Sequence, residues 1–187
     1  MKKVFIVHGF HGQPNGGWRP WLMGELGKRN VYACSLSMPN PEKPVLGEWM
    51  AEIARHVERN STDELYLVGH SLGVATILRY LETAPSTNSV AGAVLVSGPC
   101  EPIDDAEIRD FLSVSFDFTT IKSRIGKRVV IHGDNDDVVP IAQAKKLARE
   151  LDARLAIVEN GGHLNGSSGW YSLPECLGAL LNMMEVT

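Results

Sequence analysis

Residues that together could activate a hydroxyl group occur in order along this chain. Ser71 lies in Gly69-His70-Ser71-Leu72-Gly73, an aspartate-rich segment follows at 134–137, and His163 comes after Gly161-Gly162. A serine hydroxyl is a poor nucleophile until a nearby base removes its proton, and a further group must orient that base. The residue types therefore predict nucleophilic catalysis with Ser71 as the nucleophile and His163 as the base.

The pentapeptide around Ser71 follows a short apolar run and precedes a helical pattern. This is the strand–turn–helix context in which Gly-x-Ser-x-Gly forms a nucleophile elbow, a sharp turn whose flanking positions must lack side chains. A tight turn with a serine that only caps the helix is the alternative for the motif taken alone.

Three aspartates compete for the acid role. Asp136 lies four residues before Pro140, where the chain has left one strand and has not begun the next helix. Asp137 would point elsewhere, and it or Asp134 could simply solvate the turn. We therefore predict Asp136 as the acid. A loop histidine without a catalytic role is the alternative for His163.

The negative charge that develops during acyl transfer needs hydrogen-bond donors. By topology, these are expected to be the backbone N–H of Leu72 and that of Phe10, in the glycine-rich loop that follows the first strand.

Composition and charge limit the classes of protein to which this chain could belong. The chain has 187 residues, with 18 basic against 22 acidic residues and a net charge of −4. This length predicts one domain over residues 1–187. Without a basic excess, nucleic acid is not an expected partner.

The cysteines and the N-terminal residues indicate where in the cell the protein is expected. Cys34, Cys100 and Cys176 are odd in number and far apart, which argues against a disulfide framework or a zinc site. The apolar run Val4–Val7 is too short for a signal peptide or a membrane span. We expect a cytoplasmic protein without a membrane partner.

Short apolar runs alternate with amphipathic segments. Six predicted strands are rich in Val, Ile, Leu and Ala: Lys3–His8, Val31–Leu36, Glu64–Gly69, Val90–Ser97, Arg128–His132 and Arg154–Glu159. Near-continuous apolarity is typical of parallel strands covered on both faces. The pattern predicts an α/β protein, a three-layer α/β/α sandwich with about six mainly parallel strands.

Apolar spacing predicts the helices between these strands. One apolar stripe runs from Leu46 to Val57, and a second runs from Ile141 to Leu151. The last helix is expected to begin at a capping box, Ser172-x-x-Glu175. Short helices are expected near Asp105–Leu112 and Phe118–Ile125.

The predicted site residues all follow strands. Because ligands of such sheets bind at the carboxyl ends of the strands, these residues are expected to meet at one edge.

Together these features resemble the α/β-hydrolase superfamily, and in particular the small YdeN-like serine hydrolases, the group of retinoblastoma-binding protein 9. Motifs along nearly the whole chain carry the resemblance: His8-Gly9, Trp18-x-x-Trp21-Leu22, Met38-Pro39-Asn40-Pro41, Gly69-His70-Ser71-Leu72-Gly73, Leu95-Val96-Ser97-Gly98, Ser115-Phe116-Asp117 and Gly161-Gly162-His163. The resemblance implies a compact hydrolase fold with a Ser71–Asp136–His163 triad.

The expected activity is hydrolysis of carboxylic esters or related acyl compounds through an acyl-enzyme, with a small-molecule acyl substrate and neither cofactor nor metal. Only residues Gly98–Gly126 remain where larger hydrolases insert a cap. We therefore expect no substantial cap domain, an open site and small acyl groups. Phe111, Phe116 and Phe118 could shade the site or belong to the core.

The sequence also bears on three other functions. A nucleotide-binding protein is disfavoured because Gly-x-Gly-x-x-Gly and the Walker motif are absent. A metal hydrolase would rest on His8 and His11, which lack partnered carboxylates. An interaction or scaffold protein on a hydrolase fold, with a protein partner and weak or incidental esterase activity, stays possible because fold does not fix function.

Overall fold

Six strands form a parallel sheet at the centre of the molecule. A computed structural model describes residues 1–60, 62–103 and 105–186. The strands are β1 (Lys2–Val7), β2 (Tyr32–Ser35), β3 (Glu64–His70), β4 (Val90–Val96), β5 (Ile125–Gly133) and β6 (Arg154–Val158). Their order across the sheet is β2-β1-β3-β4-β5-β6, and each neighbouring pair is parallel. The predicted architecture is confirmed.

The helices follow the strands in alternation. They are α1 (Arg19–Gly27), α2 (Leu46–Arg59), α3 (Leu72–Thr83), α4 (Arg109–Leu112), α5 (Phe118–Ser123), α6 (Ile141–Glu150) and α7 (Pro174–Met184). A short 3₁₀ turn lies at Gly166–Ser168.

Two apolar cores lie on opposite faces of the sheet. Successive strand residues point to opposite faces, so Phe5 and Val7 enter one core while Val4 and Ile6 enter the other. The first core also contains the buried sides of α2 to α6, and the second contains those of α1 and α7. The result is the three-layer arrangement that the strand composition predicts.

The order of the strands places a crevice in the middle of the sheet. After β1 the chain moves outward to β2, and it then returns to the other side of β1 to form β3. Loops that leave two adjacent strands in opposite directions open a crevice at their carboxyl ends. The loops after β1 and β3 therefore define the natural binding position.

The segment between β4 and β5 adds no cap domain. Within the described part of it, which excludes Asp104, the only helices are α4 and α5, and both pack against α3. Phe111 is fully buried in the first core and meets Trp49 edge-on, with ring centroids 5.7 Å apart. The core alternative is therefore the correct one for Phe111.

Local hydrogen bonds change the boundaries of several predicted elements. The helix near Asp105 begins only at Arg109, after the Asp105 carboxylate has accepted a hydrogen bond from the amide of Glu107 and turned the chain. β5 starts at Ile125, earlier than predicted, because Ile125 pairs with Val90.

The predicted capping box is wrong. The N-cap of α7 is Leu173, and no side chain caps this end. Pro174 stands in the first turn, where a missing amide donor costs nothing.

None of the helices in the described residues has the length and apolar character needed to cross a membrane.

The packing of the second core can be tested with a matched pair of isoleucines. Ile131 on β5 is fully buried, whereas Ile157 on the edge strand β6 is 44% exposed. Ile131→Ala should lower the free energy of unfolding by about 2–5 kcal/mol, since it removes buried methyl groups and leaves a cavity. Ile157→Ala should lower it by under about 1 kcal/mol. Urea unfolding measures both, and equal losses would contradict the layer assignment.

Candidate active site

Ser71 lies at a sharp turn between β3 and α3. Its backbone has φ 53° and ψ −123°, a conformation that non-glycine residues rarely adopt. The turn has no room for side chains on either flank: a Cβ on Gly73 would lie 2.3 Å from the carbonyl oxygen of Val7, and one on Gly69 would lie 2.9 Å from the backbone of Val74. The glycines of the motif are therefore required by close backbone contacts.

Three predicted site residues form one hydrogen-bonded chain. Nε2 of His163 lies 2.9 Å from Oγ of Ser71, and Nδ1 lies 2.9 and 3.0 Å from the two carboxylate oxygens of Asp136. The carboxylate can only accept, so Nδ1 carries the proton and Nε2 is free to accept from the serine hydroxyl. The arrangement can therefore transfer a proton from Ser71 to His163.

Asp136 is fixed from its own loop. Its Oδ1 accepts hydrogen bonds of 2.9 Å from the amides of Val138 and Val139, and its side chain is fully buried. Burial acts to raise the pKa of this carboxyl, but the bonds from His163 and the two amides outweigh it and hold the pKa below its usual value. Asp136 is therefore a carboxylate at neutral pH.

The polar residues next to Asp136 make other contacts. Oδ1 of Asp134 accepts from the amide of Asn160, and Oδ1 of Asn135 accepts from the amide of Gly162, so both join this loop to the one that carries His163. Asp137 is exposed. Of the three competing aspartates, the structure brings Asp136 alone to His163 among the described residues.

The loop of His163 is held by three ring N–H groups. Nε2 of His70 donates to the carbonyl of His163, Nε1 of Trp18 donates to Leu164, and Nε1 of Trp170 donates to Gly161, over 2.7–2.9 Å. These bonds fix the backbone on which the imidazole of His163 is mounted. None of the three donors was singled out for a role in the sequence analysis, because a side chain that bonds a distant backbone carbonyl leaves no local pattern.

The histidines behind the site are neutral. Burial lowers the pKa of His70 to about 3, and the nearby His163 lowers it further. Burial also lowers the pKa values of His8 and His132. His8 and His11 do not face a common metal position. Nδ1 of buried His8 forms a hydrogen bond with the carbonyl oxygen of Gly9, whereas Nδ1 of exposed His11 pairs with the carboxylate of Glu42.

The loop after β1 lies against Ser71. A Cβ on Gly9 would lie 2.8 Å from Cβ of Ser71, and the amide of Gly12 closes a turn onto the carbonyl of Gly9 at 3.0 Å. The amides of Phe10 and Leu72 donate to no partner among the described residues. Neither of the two predicted donors is therefore occupied by another acceptor in the described part of the chain.

A cavity of about 400 Å³ opens in front of these groups. Its walls come from residues 9–13, 16, 17 and 19, from His70 and Ser71, and from residues 163 and 165–167. Phe116 and Phe118 line a different cavity, and Phe111 lines neither. Arg19, which the sequence analysis did not single out, also lines the cavity with Ser71.

The chain matches known proteins along nearly its whole length. The family model described as serine hydrolase covers residues 4–182. The YdeN protein of Bacillus subtilis (strain 168) is 36% identical over 174 residues, which cover 92% of this chain and 91% of that protein. Serine hydrolase RBBP9 of Rattus norvegicus is 23% identical, with 81% and 80% covered.

Solved structures agree with this result. The ydeN gene product from B. subtilis has a TM-score of 0.91 with this chain at 33% identity, covering 99% of this chain and all of that one. Est1E from Butyrivibrio proteoclasticus has a TM-score of 0.76 at 14% identity, covering 98% and 88%, which is a likeness of fold alone.

The neutrality of His70 makes stability depend on pH. Below about pH 6.5 the unfolded chain binds a proton at this residue, whereas folded His70 stays neutral down to about pH 3, so falling pH favours unfolding. His70→Gln keeps an amide donor for the carbonyl of His163 and removes the titration. We expect the wild-type free energy of unfolding to fall about 1 kcal/mol per pH unit more steeply than that of the variant between about pH 6 and 4.

Urea unfolding at a series of pH values measures both slopes. Between about pH 8 and 9 they should be equal, since His70 is neutral in both states there. Equal slopes at acid pH would show that His70 is not held neutral by the fold.

Proposed function

Because the chain belongs to the serine hydrolase family, we propose that it hydrolyses carboxylic esters or related acyl compounds through a Ser71–Asp136–His163 triad. The observation that carries the proposal is the hydrogen-bonded chain from Ser71 Oγ through His163 to Asp136, which ends in a cavity open to a small molecule.

The proposed first half-reaction forms an acyl-enzyme. Nε2 of His163 takes the proton of Ser71 while Oγ bonds to the carbonyl carbon of the substrate. The carbonyl oxygen becomes an oxyanion, which the amides of Phe10 and Leu72 hold. The tetrahedral intermediate then collapses, and the leaving alcohol takes the proton from His163.

The second half-reaction releases the acid. His163 removes a proton from a water molecule, whose oxygen attacks the acyl carbon. Collapse of this intermediate returns the proton to Ser71 and frees a carboxylic acid. Asp136 holds Nδ1–H throughout and stabilises the imidazolium that forms in both halves.

The shape of the site supports a preference for small acyl groups. Larger hydrolases place a cap where the described residues of this segment form only α4 and α5, and both pack on α3. The cavity is therefore bounded by loops and by the ends of β3 and α1, and within the described residues no cap domain covers it to enclose a long alkyl chain. The three cysteines are unpaired, which is consistent with the reducing cytoplasm that we propose as its location.

Removal of the hydroxyl tests the nucleophile. Wild type should react covalently with a fluorophosphonate probe and hydrolyse p-nitrophenyl acetate. Ser71→Ala should not be labelled by the probe, and its turnover of p-nitrophenyl acetate should fall by about 10⁶-fold. Ser123→Ala, which removes an exposed hydroxyl on α5, is the matched control and should behave as wild type. A folded wild type that does neither, or a Ser71→Ala variant that does both, would refute the proposal.

Adjacent aspartates test the acid. Asp136→Asn should lower kcat for p-nitrophenyl acetate by about 10⁴-fold, because an amide group favours the wrong tautomer of His163. Asp137→Asn changes an exposed neighbour and should leave kcat within about twofold. Equal effects at the two positions would remove Asp136 from the triad. Circular dichroism of both variants confirms that each is folded.

A further inference from the structure

Arg19 is a buried cation in the wall of the Ser71 cavity. The residue is 6% exposed, and no carboxylate of the described residues lies within ion-pair distance of its guanidinium. The guanidinium carbon lies 5.9 Å from the centroid of the Trp18 ring, a cation–π contact that leaves the charge without a counter-ion. Burial of a charge without an opposite charge is unfavourable, and proteins normally pair such a group. By contrast, the equally buried Arg79 pairs with Glu82.

The protein accepts hydrogen bonds from only two of the five N–H groups of the Arg19 guanidinium. Its Nε and Nη2 donate to the carbonyl of Gln13 at 3.1 and 2.7 Å, and Nη1 has no partner among the described residues. Of the five N–H donors of a guanidinium, three are left, and they include the edge formed by Nη1 and Nη2. That edge has the geometry that binds both oxygens of a carboxylate.

The described wall of the cavity is favourable for a negatively charged ligand. Among the described residues, the cavity is lined by no aspartate or glutamate, and Arg19 is the one lysine or arginine in its wall. Burial lowers the pKa of Arg19 to about 10, so the group is still charged at neutral pH. A single positive charge matches a monoanion.

The loop after β1 links Arg19 to Ser71 over a short distance. Gly9 contacts Ser71, the turn from Gly9 to Gly12 spans at most about 7 Å, and Gln13 follows one residue later. These steps set only an upper limit, but both residues line one cavity of about 400 Å³, which as a sphere is about 9 Å across, so the guanidinium lies on the order of 10 Å from Oγ of Ser71. Gly16 leaves the approach to it free of side-chain atoms, since a Cβ there would lie 2.6 Å from Nη2.

We propose that Arg19 binds a carboxylate of the substrate, so that the preferred substrates are small monoanionic esters. This inference rests on the proposed esterase function. An extended chain of four methylenes separates two carboxyl carbons by about 6 Å, and a hydrogen bond adds about 3 Å. An ester carbonyl at Ser71 and a carboxylate at Arg19 are therefore bridged by a spacer of about this length.

Matched substrates test the charge alone. Monoethyl adipate carries the carboxylate on the acyl side, and its neutral primary amide is the control. 4-Acetoxybenzoate carries it on the leaving-group side, with 4-acetoxybenzamide as its control. We expect wild type to prefer the anion of at least one pair by about 10- to 100-fold in kcat/KM, the effect of a charge-assisted hydrogen bond. The preferred pair identifies the side that faces Arg19.

Variants connect that preference to Arg19. Arg19→Gln should lower the anion-to-amide ratio of kcat/KM to near one, and Arg19→Lys should retain part of it. Arg149→Gln removes an exposed arginine on α6 and should leave the ratio at the wild-type value. A purely structural role, in which Arg19 only holds Gln13, would lower both members of a pair equally and leave the ratio unchanged.

The outcomes separate this inference from the proposed function. If wild type labels with fluorophosphonate and cleaves the amide controls as fast as the anions, Arg19 does not select substrate while the esterase proposal stands. Arg19 is likewise excluded, and the esterase proposal retained, if the anion-to-amide ratio of kcat/KM in Arg19→Gln equals that of wild type. If wild type neither labels nor cleaves any ester, both proposals fail. The wild-type comparison needs no variant, so it decides the matter even if the Arg19 variants do not fold.

Discussion

The backbone of Ser71 is the constraint on which the rest of the site depends. A residue held in a sparsely populated conformation costs of order 1–3 kcal/mol and persists only where its surroundings impose it. Here the surroundings are the carbonyl of Val7, which excludes any side chain at Gly73, and the bond from the amide of Ser71 to Val96. Strands β1, β3 and β4 must therefore be in register before the serine can point into the cavity.

The remaining groups are arranged so that one proton can move without rearrangement of the protein. Asp136 accepts two hydrogen bonds from the amides of its own loop. The backbone around His163 is held by the rings of Trp18 just before α1, of His70 on β3 and of Trp170 before α7. His70 is kept neutral by burial, so it adds no second positive charge beside an imidazolium at His163. Charge is thus confined to the groups that the proposed reaction uses and to Arg19.

The fold and the chemistry-bearing residues could be predicted from the sequence because they leave local patterns. Apolar runs predict the strands, and the glycines beside Ser71 predict the elbow. Arg19 could not be assigned from the sequence, since its burial depends on where Gln13 and Gly16 lie after folding. The helix that Arg19 begins was also missed, because α1 buries only Leu22 and Leu26 on its apolar face and contains Gly24 within it. The predicted capping box failed because α7 begins one residue later than the motif requires, so that Leu173 and not Ser172 occupies the N-cap position.

The residues of the site are far apart in the sequence, and this determines when the site can form during synthesis of the chain. The cavity needs the loop at Gly9, the turn at Ser71, the loop at Asp136 and the backbone around His163 at once. A ribosome delivers these segments in that order, and the early strands β1 and β2 cannot complete the elbow without β3 and β4. A growing chain therefore cannot form the hydrogen-bonded chain from Ser71 through His163 to Asp136 until β6 and the histidine loop have emerged.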